Sequence, residues 1–160
     1  MLARTICLAA VLTLSQTATA QSQPLNGRTG FDRLKRLTGS WSMSGGGSRG
    51  VTTYRVTDGG KTLIQDEAGQ LTIFKLDGDK LTLTHYCARG NQPHMRLETL
   101  SDSKITFTMY DITNLSHPQA YHTTNLELVF LSDDRVDLIY RATAAGRPST
   151  QVVQLTRNRS

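Results

Sequence analysis

Three residues of types that bind soft or borderline metal ions lie close together in the middle of the chain. His85, Cys87 and His94 form the pattern H-x-C-x₆-H. Imidazole nitrogen and thiolate sulfur are common zinc ligands, but structural zinc sites use four ligands in paired spacings, and no fourth ligand is evident here. We therefore expect no metal or other cofactor, a buried Cys87 and a hydrogen-bonded His85, with a site of these three residues as the alternative.

The segment that separates Cys87 from His94 is a loop with polar side chains. It reads Ala88-Arg89-Gly90-Asn91-Gln92-Pro93. Loops on a rigid scaffold often carry binding specificity, which makes Arg89 a candidate ligand-binding residue at a rim. Gly90, Asn91 and Pro93 are equally consistent with a plain chain reversal.

Sequence signatures of the common enzyme classes are missing. The chain has no G-x-S-x-G elbow, no H-E-x-x-H, no phosphate-binding loop and no dinucleotide fingerprint. We therefore assign no catalytic residue and do not expect an enzyme. A hydrolase or isomerase that uses His85 and Cys87 is kept as an alternative.

Length and composition set the class of protein. The 160 residues are 38% hydrophobic and 19% charged, which suits one globular domain and excludes a disordered chain. The net charge is +5, but the basic residues are dispersed and lack interleaved aromatic residues. A nucleic-acid partner is therefore not expected.

The first twenty residues predict export. Residues 1–20 combine a basic start at Arg4, an apolar run and the small-x-small sequence Ala18-Thr19-Ala20, as in a secretory signal peptide. The apolar run is too short for a stable membrane anchor. Removing the peptide leaves a net charge of +4 and one cysteine, Cys87, so no internal disulfide can form. We expect a periplasmic or secreted protein.

A short helix is predicted before the main fold. Residues 21–30 are polar and read as a flexible lead-in. Phe31, Leu34 and Leu37 then recur at helical spacing, with Thr29 as the candidate cap and Gly39 as the stop.

The rest of the chain alternates apolar and polar residues between tight turns. Counting a strand at 40–44, we identify ten candidate strands, in the segments 51–57, 61–67, 70–76, 80–86, 94–100, 104–112, 122–131, 135–143 and 149–156. Because an open meander of this length would expose a strand edge, an antiparallel up-and-down β-barrel of about eight to ten strands is predicted over 31–160. A two-sheet sandwich is the alternative.

The order of these elements resembles the calycin superfamily, which includes lipocalins and fatty-acid-binding proteins. The sequence Gly39-Ser40-Trp41 matches the family's Gly-x-Trp at the start of the first strand. The resemblance implies that Trp41 closes one barrel end under a basic side chain, for which Arg157 is the candidate. Residues 76–96 are similar to a group of exported bacterial lipocalin-like proteins of undescribed function. Haem-binding members of this wider group of barrels carry an axial His near the C-terminus. This chain has no His after His122, which counts against haem as a ligand.

The function predicted from these observations is the binding of a small, mainly apolar molecule in a barrel cavity. Barrels of about eight to ten strands leave room for one small ligand when their inner side chains do not fill them. A filled barrel with a structural or protein-interaction role is the alternative. The candidate ligand-binding residues are the loop residue Arg89 together with His85 and the strand aromatics Tyr54, Phe74, Tyr86, Phe107, Tyr110 and Tyr140.

Overall fold

A computed structural model describes residues 26–67 and 69–159 of the protein. The helix α1 spans Gly27–Lys35, and a single 3₁₀ turn spans Asp58–Gly60. The strands are β1 (Gly39–Ser44), β2 (Gly50–Thr57), β3 (Thr62–Glu67), β4 (Gln70–Asp77), β5 (Lys80–Tyr86), β6 (Gln92–Leu100), β7 (Lys104–Thr113), β8 (His122–Ser132), β9 (Arg135–Ala144) and β10 (Arg147–Arg157). In this part of the chain no helix has the length and apolar character needed to cross a membrane. The predicted signal peptide, 1–20, lies outside the described residues.

The strands form one closed antiparallel barrel. Each strand pairs with its neighbours in sequence, and β1 pairs with β10, where Trp41 lies opposite Arg157 and Met43 opposite Leu155. This last pairing leaves no free sheet edge, as the strand count predicted. The structure confirms the all-β up-and-down barrel and excludes the two-sheet sandwich.

Alternation along each strand determines which side chains fill the interior. In β5, Leu81, Leu83 and His85 are buried, whereas Tyr86 on the opposite face is exposed. The same period-two pattern recurs around the barrel, because successive side chains of a strand point to opposite faces. The buried side of each strand thus faces one continuous core.

The helix begins earlier than the sequence pattern predicted. Asn26, not Thr29, is its cap: the Asn26 side-chain oxygen accepts hydrogen bonds from the backbone N–H groups of Arg28 (2.9 Å) and Thr29 (3.2 Å). Gly27 donates its N–H to the Asp79 carbonyl at 3.1 Å, and a Cβ at Gly27 would collide with that carbonyl. Residues 27–30 were expected to be part of a flexible lead-in, but they belong to α1. The lack of a side chain at Gly27 allows the helix to pack closely on the β4–β5 turn.

The two ends of the barrel differ in what covers them. We call the end that carries α1 and the turns after β2, β4, β6 and β8 the helix end, and the opposite end the open end. At the helix end, Phe31, Leu34 and Leu37 join Trp41 in the buried apolar core. The open end carries the loops after β1, β3, β5, β7 and β9.

Candidate functional site

A row of polar side chains faces the barrel interior on four adjacent strands. Tyr54 of β2 pairs in register with Gln65 of β3, Gln65 with Thr72 of β4, and Thr72 with His85 of β5. Their exposed fractions are 2%, 2%, 2% and 7% in that order, so all four are buried. We call these four residues the polar belt. Interiors of this kind are usually apolar, and a continuous polar row across four strands requires an explanation.

One half of the polar belt is hydrogen-bonded within the protein. Thr72 Oγ1 and His85 Nδ1 lie 2.9 Å apart and share a hydrogen bond. Burial lowers the pKa of His85 from 6.5 to about 4, because the apolar surroundings disfavour the charged ring. His85 is therefore a neutral imidazole at physiological pH.

The other half of the polar belt has polar atoms without protein partners. The Tyr54 hydroxyl and both polar atoms of the Gln65 carboxamide, Oε1 and Nε2, are buried and make no hydrogen bond with the described residues. An unpaired buried polar group costs about 1–3 kcal/mol, so such groups are rare in folded proteins.

Tyr140 of β9 faces the polar belt across the interior. Its ring centroid lies 6.2 Å from that of His85, with 47° between the ring planes. Burial raises the pKa of Tyr140 and a side-chain interaction with Gln65 opposes this rise, but no hydrogen bond of normal length and angle joins the two side chains.

The phenols at the polar belt are neutral at physiological pH. Burial is the main cause that raises the pKa of Tyr54, and of Tyr140, well above the normal range. Glu67 follows Gln65 by two residues on β3 and lies closer to the open end. Burial raises the pKa of Glu67, and the hydrogen bond that Gln70 donates to it at 3.0 Å partly offsets this rise. No Lys or Arg belongs to the polar belt, so its hydrogen-bonding groups are uncharged.

A cavity of about 610 Å³ opens at the loops of the open end. His85 and Tyr140 line it from the barrel interior, and Gln70, Cys87 and Arg89 line it nearer the loops. Tyr140 therefore borders both the cavity and Gln65 of the polar belt. Such a volume is typical of sites for small molecules, which range from about 300 to 1,000 Å³.

Five of the eight predicted ligand-binding residues are side chains of the barrel interior. Three of these, Tyr54, His85 and Tyr140, lie together at the polar belt. Phe74 and Phe107 lie in the fully buried apolar core, with their ring centroids 5.7 Å apart. Neither ring lines the open-end cavity, so both contribute to the apolar core instead.

Tyr86 and Tyr110 lie elsewhere than predicted. They face outward, with exposed fractions of 39% and 54%. Both follow the alternation of their strands, which turns Tyr86 away from His85 and Tyr110 away from Phe107. This corrects their expected position: aromatic character suggested the interior, whereas position along the strand decided the face.

Arg89 lies at the rim of the cavity, exposed on the β5–β6 loop. Its guanidinium carbon lies 4.8 Å from the centroid of the Tyr121 ring, which belongs to the end of the β7–β8 loop. Asn91 ties the same two loops together, because its side-chain N–H donates to the Tyr121 carbonyl at 2.8 Å. The β5–β6 loop is thus held against its neighbour rather than extended into solvent.

The three candidate metal ligands do not converge. His85 faces the interior, whereas His94 lies on the outer surface, where its ring nitrogens bond to the hydroxyls of Thr84 (3.0 Å) and Thr113 (3.3 Å). Cys87 is half-buried, not buried as expected. Within residues 26–67 and 69–159, no group of three His, Cys, Asp or Glu side chains is placed to hold a metal ion.

Trp41 and Arg157 meet at the helix end. The Arg157 guanidinium carbon lies 4.1 Å from the Trp41 ring centroid, and the indole N–H donates to the Leu37 carbonyl at 2.6 Å. Arg157 also donates to the carbonyls of Thr38 (3.0 Å) and Arg36 (2.7 Å). A charged side chain thereby stacks on the buried indole and binds the chain that follows α1.

Gln65 and Thr72 are site residues that the sequence analysis did not identify. A polar residue within a strand ordinarily indicates the solvent face, and each of these is unremarkable in its own segment. The detectable signal lies in the pairing: aligning the hairpins places Tyr54, Gln65, Thr72 and His85 at one level, all on the face that carries the apolar residues.

Comparison of the chain with protein-family models finds no match, and comparison with curated proteins likewise finds none.

Proposed function

We propose that this protein binds a small, uncharged molecule at the open end of the barrel. The observation that carries the proposal is the set of three buried, unpartnered polar atoms on Tyr54 and Gln65. These residues lie behind His85 and Tyr140, which line a cavity of about 610 Å³. A ligand that pairs these atoms would remove an unfavourable contribution to the free energy of the folded protein. Export, and a place among the lipocalin-like barrels, are proposed with it on the sequence features given above.

The polar belt changes the proposed ligand from a mainly apolar molecule to one with a hydrogen-bonding group. Trp41, Phe74 and Phe107 are fully buried members of one apolar core, which fills that part of the interior with protein. The interior that adjoins the cavity is polar instead. We therefore propose a ligand whose polar group meets the polar belt and whose remaining surface lies near His85 and Tyr140.

The two alternative functions have less support. A filled structural barrel would be expected to pair its buried polar atoms internally, as most proteins do. A catalytic pair of His85 and Cys87 would need a hydrogen bond between base and nucleophile. In the described part of the chain no such bond joins them, and His85 Nδ1 is occupied by Thr72.

Native mass spectrometry tests the proposal on full-length protein purified without denaturation from its own host. We expect a small molecule that leaves on activation, or a rise in Tm with at least one member of a metabolite panel. Ser149→Trp, at an exposed position lining the cavity, should abolish either signal by filling the cavity.

The matched control is Thr156→Trp, which adds the same side chain at an exposed position of β10 outside the cavity lining. It should retain the bound molecule or the Tm rise. Absence of both signals from the wild-type protein would overturn the proposal, as would equal loss in the two variants.

A further inference from the structure

We propose that the ligand presents the edge of a cyclic amide, an N–H beside a C=O on an uncharged planar ring, to the Gln65 carboxamide. Lactams and imides carry such an edge. This inference rests on the proposed function and names the chemical class of its ligand.

The two unpartnered atoms of Gln65 determine the pattern of donors and acceptors. A carboxamide offers an acceptor oxygen and a donor N–H side by side. Both are buried in Gln65 and neither is used by the described residues. A group with its own donor and acceptor side by side in the opposite order, as a cis-amide edge has, satisfies both at once.

Tyr54 adds a third hydrogen-bonding group at the same level. It is the register partner of Gln65, and its buried hydroxyl also lacks a partner among the described residues. A hydroxyl both donates and accepts, so it can bind a second carbonyl or ring nitrogen next to the amide edge. A ring with an amide edge and one further polar atom would use all three groups.

The polar belt has no charged side chain, so it favours an uncharged group on the ligand. A carboxylate ligand would lose its hydration and find no Lys or Arg in the polar belt to replace it. It would also approach the carboxyl group of Glu67, which lies near enough to Tyr54 and Tyr140 to raise their pKa values further. The carboxylate end of a fatty acid therefore does not suit this position.

The two rings that border the cavity favour a planar ligand. His85 and Tyr140 lie 6.2 Å apart between centroids, and Tyr140 lies next to Gln65. A flat ring can contact both rings while its edge points to Gln65, since aromatic groups pack well in offset or tilted arrangements.

The test compares four probes by NMR titration of ¹⁵N-labelled protein. They are 2-pyridone, N-methyl-2-pyridone, which lacks only the N–H donor, benzoate as a carboxylate, and toluene as an apolar ring. We expect 2-pyridone to bind at least about tenfold more tightly than the other three, since an unpaired carbonyl or amide is left when the donor is blocked. The Gln65 side-chain NH₂ resonance should shift with 2-pyridone.

Variants assign the effect to Gln65. Gln65→Met keeps the length of the side chain and should reduce the preference for 2-pyridone over N-methyl-2-pyridone to less than about twofold. Gln154→Met makes the same change at an exposed position on β10 and should leave the preference intact. If Gln65→Met does not fold, Gln65→Leu provides the second variant, with the same expected loss of the preference for 2-pyridone.

The outcomes separate this inference from the proposed function. Equal or tighter binding of N-methyl-2-pyridone, benzoate or toluene would overturn the amide edge and leave small-molecule binding in place. So would a bound molecule in the native mass spectrum with no binding of any probe. If no probe binds and the native mass spectrum and metabolite panel are also negative, both proposals fail.

Discussion

The helix end and the polar belt differ in how far their buried polar groups are hydrogen-bonded within the protein. At the helix end, the Trp41 indole N–H is bonded to Leu37, and Arg157 binds the carbonyls of Arg36 and Thr38. In the polar belt, which reaches the open-end cavity through His85, the Tyr54 hydroxyl and the Gln65 carboxamide are buried without partners among the described residues. Both regions contain buried polar atoms. Those of Trp41 at the helix end are satisfied by the protein itself, whereas the polar belt pairs Thr72 with His85 and leaves the polar atoms of Tyr54 and Gln65 unpaired.

This difference separates stability from recognition. A satisfied polar group in an apolar setting stabilises one conformation, whereas an unsatisfied one leaves its hydrogen bonds for another molecule. A groove of about 660 Å³ at the helix end also has paired polar groups, because Arg36 pairs with Asp133 and Arg157 with Asp134. We therefore assign stability to the helix end and binding to the open end.

The largest expected effect is at Trp41. Trp41→Ala removes a fully buried indole, its hydrogen bond to Leu37 and its contact with Arg157. We expect the free energy of unfolding to fall by about 3–5 kcal/mol in urea denaturation. A loss below about 1 kcal/mol would show that the helix end does not carry the stability assigned to it.

The second effect is a pH dependence that originates at the polar belt. Burial lowers the pKa of His85 from 6.5 to about 4, so between these values the unfolded chain binds a proton that the folded protein does not. The contribution of His85 to stability is complete above about pH 6.5 and decreases as the pH falls toward 4. Between pH 7 and pH 4.5, the wild type should lose about 2–3 kcal/mol more than His85→Gln.

Urea denaturation at the two pH values measures this difference. His117→Gln is the control, because His117 is exposed on the β7–β8 loop, and it should keep the wild-type pH dependence. Equal losses in the wild type and His85→Gln would mean that His85 is not held neutral by burial.

The smallest effects compare the two halves of the polar belt. Thr72→Val removes a hydroxyl that His85 Nδ1 uses, so the free energy of unfolding should fall by about 1–2 kcal/mol. Tyr54→Phe removes a buried hydroxyl with no protein partner, so the free energy of unfolding of the ligand-free protein should not fall and should rise by up to about 1 kcal/mol. Similar losses in both variants, measured by urea denaturation, would erase the distinction between the two halves.

Much of the fold was predictable because strand signals are local. Alternation and turn residues placed all ten strands within two residues of their observed bounds, and the same alternation in β5 sets Tyr86 opposite His85. The start of α1 was not predictable in this way. Gly27 and Gly30 resemble helix breakers, and only the close contact with the β4–β5 turn explains their place in a helix.

The site was less predictable because it depends on pairing between strands. His85, Tyr54 and Tyr140 were identified by residue type, which finds large or titratable side chains but not their orientation. Gln65 has no distinguishing type or motif. Its importance follows from its register with Tyr54 and Thr72 and from its lack of a partner, and both are properties of the folded barrel.

The stability of ligand-free Gln65→Met tests the assignment of the open end to binding most directly. The substitution replaces an unpaired buried carboxamide by an apolar side chain of similar length. If the carboxamide is there for a ligand, the free energy of unfolding measured in urea should rise by about 1 kcal/mol while binding is lost. A fall of more than about 1 kcal/mol would contradict the account, because it would show that Gln65 contributes to folding as the helix end does.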